Sequence, residues 1–282
     1  MKLHMLGTAG YHRNEFRETS CMMIPDLGIV LDAGSGFSRV RKLLPLVPEG
    51  LPLHVFISHG HIDHTIGLTF GVSTRFANDR QIVVSAEPAH LKGIEEHLFG
   101  SELFPLPIGF PKLGISRLDP VVPEQADVSH VANGVPFTAA RLPHPGGSTG
   151  YRLVLPNGKH LVYITDTTAD DVPLDFVAGA DTLIHECNFV DDVADLIKQF
   201  GLPDPGQAFN MAQLAKVSGH STTSQVLNLA KRAGVKRLVL THWNSLIEDI
   251  VGSFIEDMTC RDLSEQLPFE LVLAKDGLVI DL

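Results

Sequence analysis

Short apolar runs alternate along the chain with turn residues and with stretches of helical periodicity. Runs of β-branched and apolar residues bounded by Gly, Pro, Asn or Asp predict strands, whereas apolar positions that recur with the helical period predict helices. The predicted strands are Lys2–Leu6, Gly28–Leu31, His54–Ser58, Gln81–Ser85, Val135–Leu142, Tyr151–Leu155 and His160–Thr165. The predicted helices are Phe37–Leu44, Thr65–Phe76, Pro88–Phe99, Gln207–Ser218, Ser224–Ala233 and Ser245–Met258.

Turn residues indicate how some of these elements connect. Pro156-Asn157-Gly158-Lys159 predicts a hairpin, because Asn-Gly favours a tight turn between strands. Phe269–Ala274 and Leu278–Leu282 predict a closing hairpin around Lys275-Asp276-Gly277. Two β-rich halves, each with helices, favour one layered α/β domain over residues 1–282. The segment Gly100–Arg117 is rich in Pro and Gly, and a loop or flap over a site is favoured over a linker, because strand patterns continue on both sides.

The composition is typical of a soluble globular protein, with 44% hydrophobic and 20% charged residues. The three cysteines are widely spaced, which excludes a disulfide framework and favours a reducing, cytoplasmic setting. Neither a signal-peptide pattern nor an apolar run long enough to cross a bilayer is visible. The net charge of −11 disfavours a protein that grips long structured RNA over a wide surface.

The strongest chemical signal is the segment Ser58-His59-Gly60-His61-Ile62-Asp63-His64, which directly follows a predicted strand. Imidazole and carboxylate groups are suitable ligands for zinc and similar cations. His59 and His61 can point into one site, and Asp63 with His64 can address a second cation beside it. The density of these groups disfavours the alternative of a polar loop with accidental histidines.

Three further candidate ligands lie at the ends of predicted strands, where a rigid scaffold meets a loop. His144 follows the strand Val135–Leu142, Asp166 follows the strand that ends at Thr165, and His242 follows the apolar run Leu238–Thr241.

The His-x-His-x-Asp-His pattern, followed in order by His144, Asp166 and His242, resembles the metallo-β-lactamase fold superfamily over essentially the whole chain. This resemblance implies a four-layer αβ/βα sandwich with two divalent cations at one edge. Zinc is the expected metal, with Mn²⁺ and Fe²⁺ as alternatives. The implied ligands are His59, His61 and His144 for the first cation, Asp63, His64 and His242 for the second, and Asp166 as a bridge between them. Such a pair of cations generates hydroxide near neutral pH, and Asp63 could orient the attacking water.

Other segments indicate the branch of the superfamily. Class B β-lactamases place Cys where Asp166 stands, so antibiotic degradation is disfavoured. The segments Leu183–Phe189 and Gly219–Thr222 resemble ribonuclease Z-like phosphodiesterases. That resemblance implies that Glu186 and His220 pair near the leaving group, where an imidazolium can protonate the departing oxygen. The alternative is a purely structural pair between two loops.

Four other positions near these motifs have less specific interpretations. Ser148 and Thr149 either contact substrate phosphate or shape the turn at Gly146–Gly150. His185 is expected to be a buried strand-end histidine, and Cys187 a small buried side chain.

Ribonuclease Z carries a long arm for transfer RNA between its third His and its bridging Asp. Here two predicted strands and a tight turn fill the interval from His144 to Asp166, so the arm is predicted to be absent. We therefore expect a phosphodiesterase acting on a small or locally recognised phosphodiester, with the segment Leu103–Leu113 as a possible substrate wall. Resemblance also implies a homodimer.

Two other functions remain as alternatives. The same metal site could hydrolyse a thioester, a lactone or a sulfate ester. The chain could also be a non-catalytic binding protein that retains the fold, although the complete set of ligands disfavours this.

Overall fold

The computed structural model describes residues 1–71, 80–123, 130–189, 191, 211–245, 248–249 and 267–282. In chain order, the strands are β1 (Lys2–Gly7), β2 (Ala9–Gly10), β3 (Cys21–Ile24), β4 (Ile29–Leu31), β5 (Leu53–Phe56), β6 (Ile82–Ala86), β7 (Ile115–Pro120), β8 (His130–Ala132), β9 (Val135–Leu142), β10 (Ser148–Val154), β11 (His160–Ile164), β12 (Thr182–Glu186), β13 (Arg237–Thr241), β14 (Trp243–Asn244), β15 (Glu270–Leu273) and β16 (Val279–Asp281). The α-helices are Ile62–Thr65, Pro88–Gly93, Leu174–Val177, Met211–Ser218 and Thr223–Ala233, and a π-helical turn spans Ile94–Leu98. The 3-10 helices are Pro25–Leu27, Ser35–Lys42, Leu44–Leu46, Ile66–Phe70, Pro111–Leu113 and Ala169–Asp171.

Most strands belong to two seven-stranded sheets of similar design. The first has the order β16-β1-β3-β4-β5-β6-β7, and the second has the order β15-β13-β12-β11-β10-β9-β8. Each sheet has an antiparallel part and a parallel part, the latter running from β4 to β7 in the first sheet and through β11, β12, β13 and β15 in the second. Neighbouring parallel strands end at the same edge, so the loops that follow them can converge on one site.

Three apolar clusters show that the layers are helix, sheet, sheet and helix. The central cluster joins residues of both sheets, among them Met5 and Phe56 from the first and Tyr151 and Val239 from the second. The two outer clusters lie on the far face of each sheet, beneath the helical segments. This arrangement confirms the predicted four-layer α/β sandwich.

The helix Thr223–Ala233 illustrates how the sequence sets an outer layer. The side chain of Gln225 accepts a hydrogen bond from the backbone N–H of Thr222 at 2.9 Å, which closes a capping box at the N-terminus. Gly234 ends the helix with φ +64°, a left-handed conformation that Gly adopts without strain. Val226, Leu229, Ala230 and Ala233 then face the second sheet and are buried.

The predicted elements overlap the observed ones, with shifted ends. The predicted helix Phe37–Leu44 is the 3-10 segment Ser35–Lys42, and Pro88–Phe99 contains both an α-helix and a π-helical turn. The hairpin at residues 156–159 is confirmed, because Val154 pairs with His160 across it. Residues 72–76 of Thr65–Phe76, residues 207–210 of Gln207–Ser218 and all but residues 245, 248 and 249 of Ser245–Met258 lie outside the described residues.

One prediction was wrong. β15 and β16 do not form a closing hairpin, because β15 pairs with β13 and β16 pairs with β1 in the other sheet. The segment Gly100–Arg117 is mostly an irregular loop, and its role as a flap or as a substrate wall stays a prediction. Ile108 and Leu113 of this segment are buried in the outer cluster of the first sheet.

None of the helices in the described part of the chain has the length and apolar character that a membrane crossing needs.

Candidate metal centre

The seven predicted ligands lie together at one edge of the sandwich. His59, His61, Asp63 and His64 follow β5, and the other three follow β9, β11 and β13. Asp166 and His242 have φ values of +49° and +59°, in the left-handed region that costs a side-chain-bearing residue roughly 1–2 kcal/mol. Backbone strain of this kind concentrates at functional sites, where the surrounding structure enforces it.

One group of possible ligands consists of His59, His61, His144 and Asp166, whose donor atoms all lie within 4.8 Å of one another. Nε2 of His144 lies 3.4 Å from Nδ1 of His61, and Nε2 of His59 lies 3.5 Å from Oδ2 of Asp166. The His59 Nε2 atom is buried and has no hydrogen-bond partner. Since buried polar atoms normally have partners, this nitrogen fits a site that takes a cation.

A second group consists of Asp63, His64 and His242. Nε2 of His64 lies 3.1 Å from Nε2 of His242 and 3.3 Å from Oδ2 of Asp63. Two imidazole nitrogens and a carboxylate that face one point form a donor set suited to zinc or a similar divalent cation.

Asp166 lies between the two groups. Its Oδ2 is 3.5 Å from His59 and 3.7 Å from His144, whereas its Oδ1 is 3.4 Å from His64 and 3.1 Å from His242. Each carboxylate oxygen therefore faces a different group, as the predicted bridging position requires. A third possible grouping joins Asp166 and His242 with His220.

The carboxylates and imidazoles of the site shift one another's pKa values. Burial alone would raise the pKa of Asp166, but His242, His64 and His59 around it hold that pKa well below its usual range. Burial alone would lower the pKa of His64, but the carboxylates of Asp63, Asp166 and Asp32 raise it well above its usual value. The cluster of carboxylates thus favours positive charge at its centre, whether from protons or from cations.

Asp32 supports this cluster, and sequence analysis missed it. Its buried carboxylate accepts hydrogen bonds from Nδ1 of His64 at 2.7 Å, from the backbone N–H of Ser58 at 2.7 Å and from the Tyr163 hydroxyl at 2.5 Å. Ser58 in turn lies 3.0 Å from Nδ1 of His59. The available signal was an acidic residue at the end of an apolar strand, before Ala33-Gly34, where a buried carboxylate needs a partner.

Glu186 and His220, the predicted pair, are in contact. Oε1 of Glu186 accepts from Nδ1 of His220 at 2.9 Å and from the backbone N–H of Thr167 at 3.1 Å. Burial alone would lower the pKa of His220, but Glu186 raises it to about 9. The Glu186 pKa is lowered, since the charge and hydrogen bond of His220 outweigh burial. The pair is therefore an ion pair near neutral pH.

A pocket of ≈ 350 Å³ opens onto both features. Its lining residues are Tyr11, His61, Ile62, Asp63, His144, Pro145, Asp166, Asn188, Ser218, His220 and His242. This volume is at the small end for ligand sites. The side chains of Tyr11 and Ile62 are exposed, whereas those of Asp63, Asp166 and His242 are buried.

The remaining candidates lie away from this pocket. Ser148 and Thr149 are fully buried, and Ser148 donates to the carbonyl of Thr165 at 2.9 Å, which favours the alternative that they shape the turn. His185 is fully buried at the strand end, with Nδ1 2.8 Å from the carbonyl of Glu186. Cys187 is also buried, and its Sγ lies 3.3 Å from the hydroxyl of Thr223.

This chain is similar to known proteins over most of its length. The family model described as the beta-lactamase superfamily domain matches residues 28–243. The ribonuclease Z of Methanosarcina acetivorans is 27% identical over 300 residues, covering 91% of this chain and 92% of that protein.

Solved structures show the same fold. The metallo-beta-lactamase fold protein YhfI of Bacillus subtilis aligns with a TM-score of 0.64 at 20% identity, covering 99% of this chain and 98% of that one. The human tRNase Z, short form, aligns with a TM-score of 0.65 at 20% identity, covering 100% of this chain and 99% of that one. These likenesses confirm the predicted fold.

Proposed function

This chain belongs to the beta-lactamase superfamily, and we propose that it is a metal-dependent phosphodiesterase. We also propose that residues 1–282 form one domain. The observation that carries the proposal is the position of His220. Glu186 holds it at 2.9 Å, in the same pocket as the metal-ligand groups. Such a pair suits a reaction in which a departing oxygen needs a proton.

The proposed cations are divalent and two in number, with zinc as the expected metal and Mn²⁺ or Fe²⁺ as alternatives. The residues that would hold them are His59, His61 and His144 for one, Asp63, His64 and His242 for the other, with Asp166 between them. When bound, the cations supply Lewis acidity toward phosphoryl oxygens and lower the pKa of water toward neutrality.

The protein's own side chains account for the other steps. Asp63 lines the pocket, and its carboxylate accepts a hydrogen bond from the backbone N–H of Tyr11 at 2.9 Å, which fixes its orientation. From there it can orient a water molecule or accept its proton. His220, protonated near neutral pH, can donate its proton to the leaving oxygen while Glu186 stabilises the imidazolium.

The substrate that fits this site is small or engaged only through a short segment. The pocket volume of ≈ 350 Å³ accommodates a phosphodiester with its neighbouring groups. Between His144 and Asp166, an interval that the structure describes throughout, the chain forms only β10, a turn and β11. A long arm is therefore absent from this interval, and the net charge of −11 also disfavours extended RNA contacts.

Turnover of bis-p-nitrophenyl phosphate with added zinc or manganese tests the proposal. We expect Asp63→Ala to remove most of the activity, and the exposed Asp175→Ala, a change of the same kind outside the pocket, to preserve it. Unchanged turnover in Asp63→Ala would contradict the proposed mechanism. A panel containing thioesters, lactones and sulfate esters separates the alternative hydrolases, since one of these would be cleaved while the phosphodiester was not.

A homodimer and a cytoplasmic location stay predictions of the sequence.

A further inference from the structure

Three of the proposed histidine ligands differ in what their second ring nitrogen meets. Nδ1 of His64 faces the carboxylate of Asp32 at 2.7 Å, and Nδ1 of His144 faces the carbonyl oxygen of Gly219 at 3.1 Å. Nδ1 of His242 instead faces the side-chain amide of Asn188, with Nδ2 at 3.2 Å. Two of the three rings therefore face an oxygen acceptor, whereas the His242 ring faces the N–H₂ group of an amide.

This difference matters because of the polarity of a neutral imidazole. When the Nε2 lone pair faces a cation, the ring proton is on Nδ1, which then donates a hydrogen bond. An oxygen must accept that bond, because two N–H groups cannot satisfy each other. The Asn188 amide presents its oxygen to His242 after a half-turn about its last side-chain bond, which exchanges Oδ1 and Nδ2 without moving the backbone.

The side-chain amide of Asn188 is itself hydrogen-bonded to a second side-chain amide, that of Asn244. Nδ2 of Asn244 donates to Oδ1 of Asn188 at 2.7 Å. When the Asn188 amide turns, its N–H group faces Asn244, and the Asn244 amide completes the bond with its oxygen by the same half-turn. The hydrogen bond between the two amides is thus kept, with its direction reversed.

Gly10 and Glu186 hold the His242 ring and Asn188 in their relative positions. The backbone of Gly10 packs on the His242 ring, since a Cβ built at that glycine would lie 2.4 Å from Nδ1. The backbone N–H of Asn188 donates to Oε2 of Glu186 at 2.9 Å, while Oε1 of the same carboxylate holds His220. Asn188, which is 5% exposed, therefore connects the Glu186–His220 pair with the Asp63–His64–His242 group.

We propose that Asn188, backed by Asn244, is a positioning residue that fixes the Nδ1 proton of His242 and aims its Nε2 at the cation shared with Asp63 and His64. This inference rests on the proposed function, because it requires that the site binds cations. It adds two residues that sequence analysis did not single out.

Zinc affinity, measured without any substrate, tests this role. Metal-free protein is titrated with zinc in competition with a chromophoric chelator, for the wild type, Asn188→Leu and Asn188→Asp. Leu removes the acceptor at similar volume, so we expect one of the two binding steps to weaken by about 10–100-fold. Asp supplies a permanent acceptor for His242 and for the Asn244 amide, so Asn188→Asp should bind zinc at least as tightly as the wild type.

The outcomes separate this inference from the proposed function. A wild-type protein without affinity for zinc would remove both. Two zinc ions bound equally by the wild type and Asn188→Leu would overturn only the role of Asn188. If Asn188→Leu does not fold, Asn188→Asp decides, because weaker zinc binding by that variant would show that an acceptor at this position does not support the cation.

Discussion

The carboxylate of Asp32 accepts the Nδ1 hydrogen bond of His64 at 2.7 Å, deep between the two sheets and away from the pocket. The same carboxylate accepts from Tyr163 of the second sheet, so it joins the two sheets beneath the proposed metal centre. Partners of this kind orient a ligand and raise its basicity.

Replacement of Asp32 by Asn should weaken metal binding by about 10–100-fold without changing any proposed ligand. Asn has the same shape but lacks the charge, and its N–H₂ group would meet the donors Ser58 and Tyr163. Zinc titration of metal-free protein measures the effect. Tyr163→Phe, which removes one donor and leaves the carboxylate on His64, is the matched control and should cause a smaller loss. Equal affinities in all three proteins would contradict the supporting role of Asp32.

Loss of the His220 imidazole should affect substrates according to their leaving groups. His220→Ala removes the proposed proton donor, which contributes about 10²–10⁴-fold where the leaving oxygen needs a proton. A cyclic nucleotide, whose leaving group is a sugar hydroxyl, should therefore lose far more turnover than bis-p-nitrophenyl phosphate, whose p-nitrophenolate leaves readily without a proton. The exposed His97→Ala is the control. Equal losses on both substrates would point to a structural role for His220.

The stability of the metal-free protein should fall between pH 6.5 and about 4 because of His54. This ring is 2% exposed, stacks on Phe56 and lies 2.7 Å from the hydroxyl of Ser85, and burial lowers its pKa to about 4. The unfolded chain takes up a proton near pH 6.5, whereas the folded chain does not, so the stabilisation present above pH 6.5 is lost as the pH falls. The loss from this group is about 3 kcal/mol.

Urea unfolding at several pH values measures this contribution. His54→Gln keeps a hydrogen-bonding group toward Ser85 but does not titrate, so its free energy of unfolding should depend less on pH over that range. If the free energy of unfolding depended on pH in the same way in both proteins, His54 would not be the cause of the pH dependence.

Cys187 should resist alkylation in the folded protein. Its side chain is 1% exposed, and burial raises the thiol pKa to about 12, so very little of the reactive thiolate exists at pH 8. Mass spectrometry after iodoacetamide treatment should find this residue modified only in unfolded protein. Asp175→Cys, at an exposed position, is the positive control. Rapid labelling of native Cys187 would contradict its interpretation as an inert packing group.

The parts of the fold that depend on local pattern were predictable. Alternation and apolar runs located β1, β4, β5, β6, β9, β10 and β11 but missed β3 and β7, and the histidines that follow the strands marked the edge where the candidate ligands meet. The separate partners of β15 and β16 were not predictable, because Lys275-Asp276-Gly277 between them has the composition of a hairpin turn. Asp276 accepts hydrogen bonds from Thr8 at 2.8 Å and from the backbone of Glu18 at 2.7 Å, contacts distant in sequence that accompany the crossing between sheets.

The supporting residues of the site were harder to identify than the ligands. Asp32 and Asn188 each contact one of the candidate histidines, and neither belongs to a dense sequence motif, so only the folded geometry reveals them. Ser148 and Thr149 illustrate the opposite case. Their hydroxyls resembled phosphate contacts in a Gly-rich segment, but both are fully buried as β10 begins.

The metal content of the purified protein tests the central claim most directly. After growth with ample zinc and removal of loosely bound ions, elemental analysis should find close to two divalent cations per chain, and His59→Ala should contain fewer. Less than one cation per chain in the wild-type protein would contradict the dinuclear centre and the hydrolytic mechanism built on it.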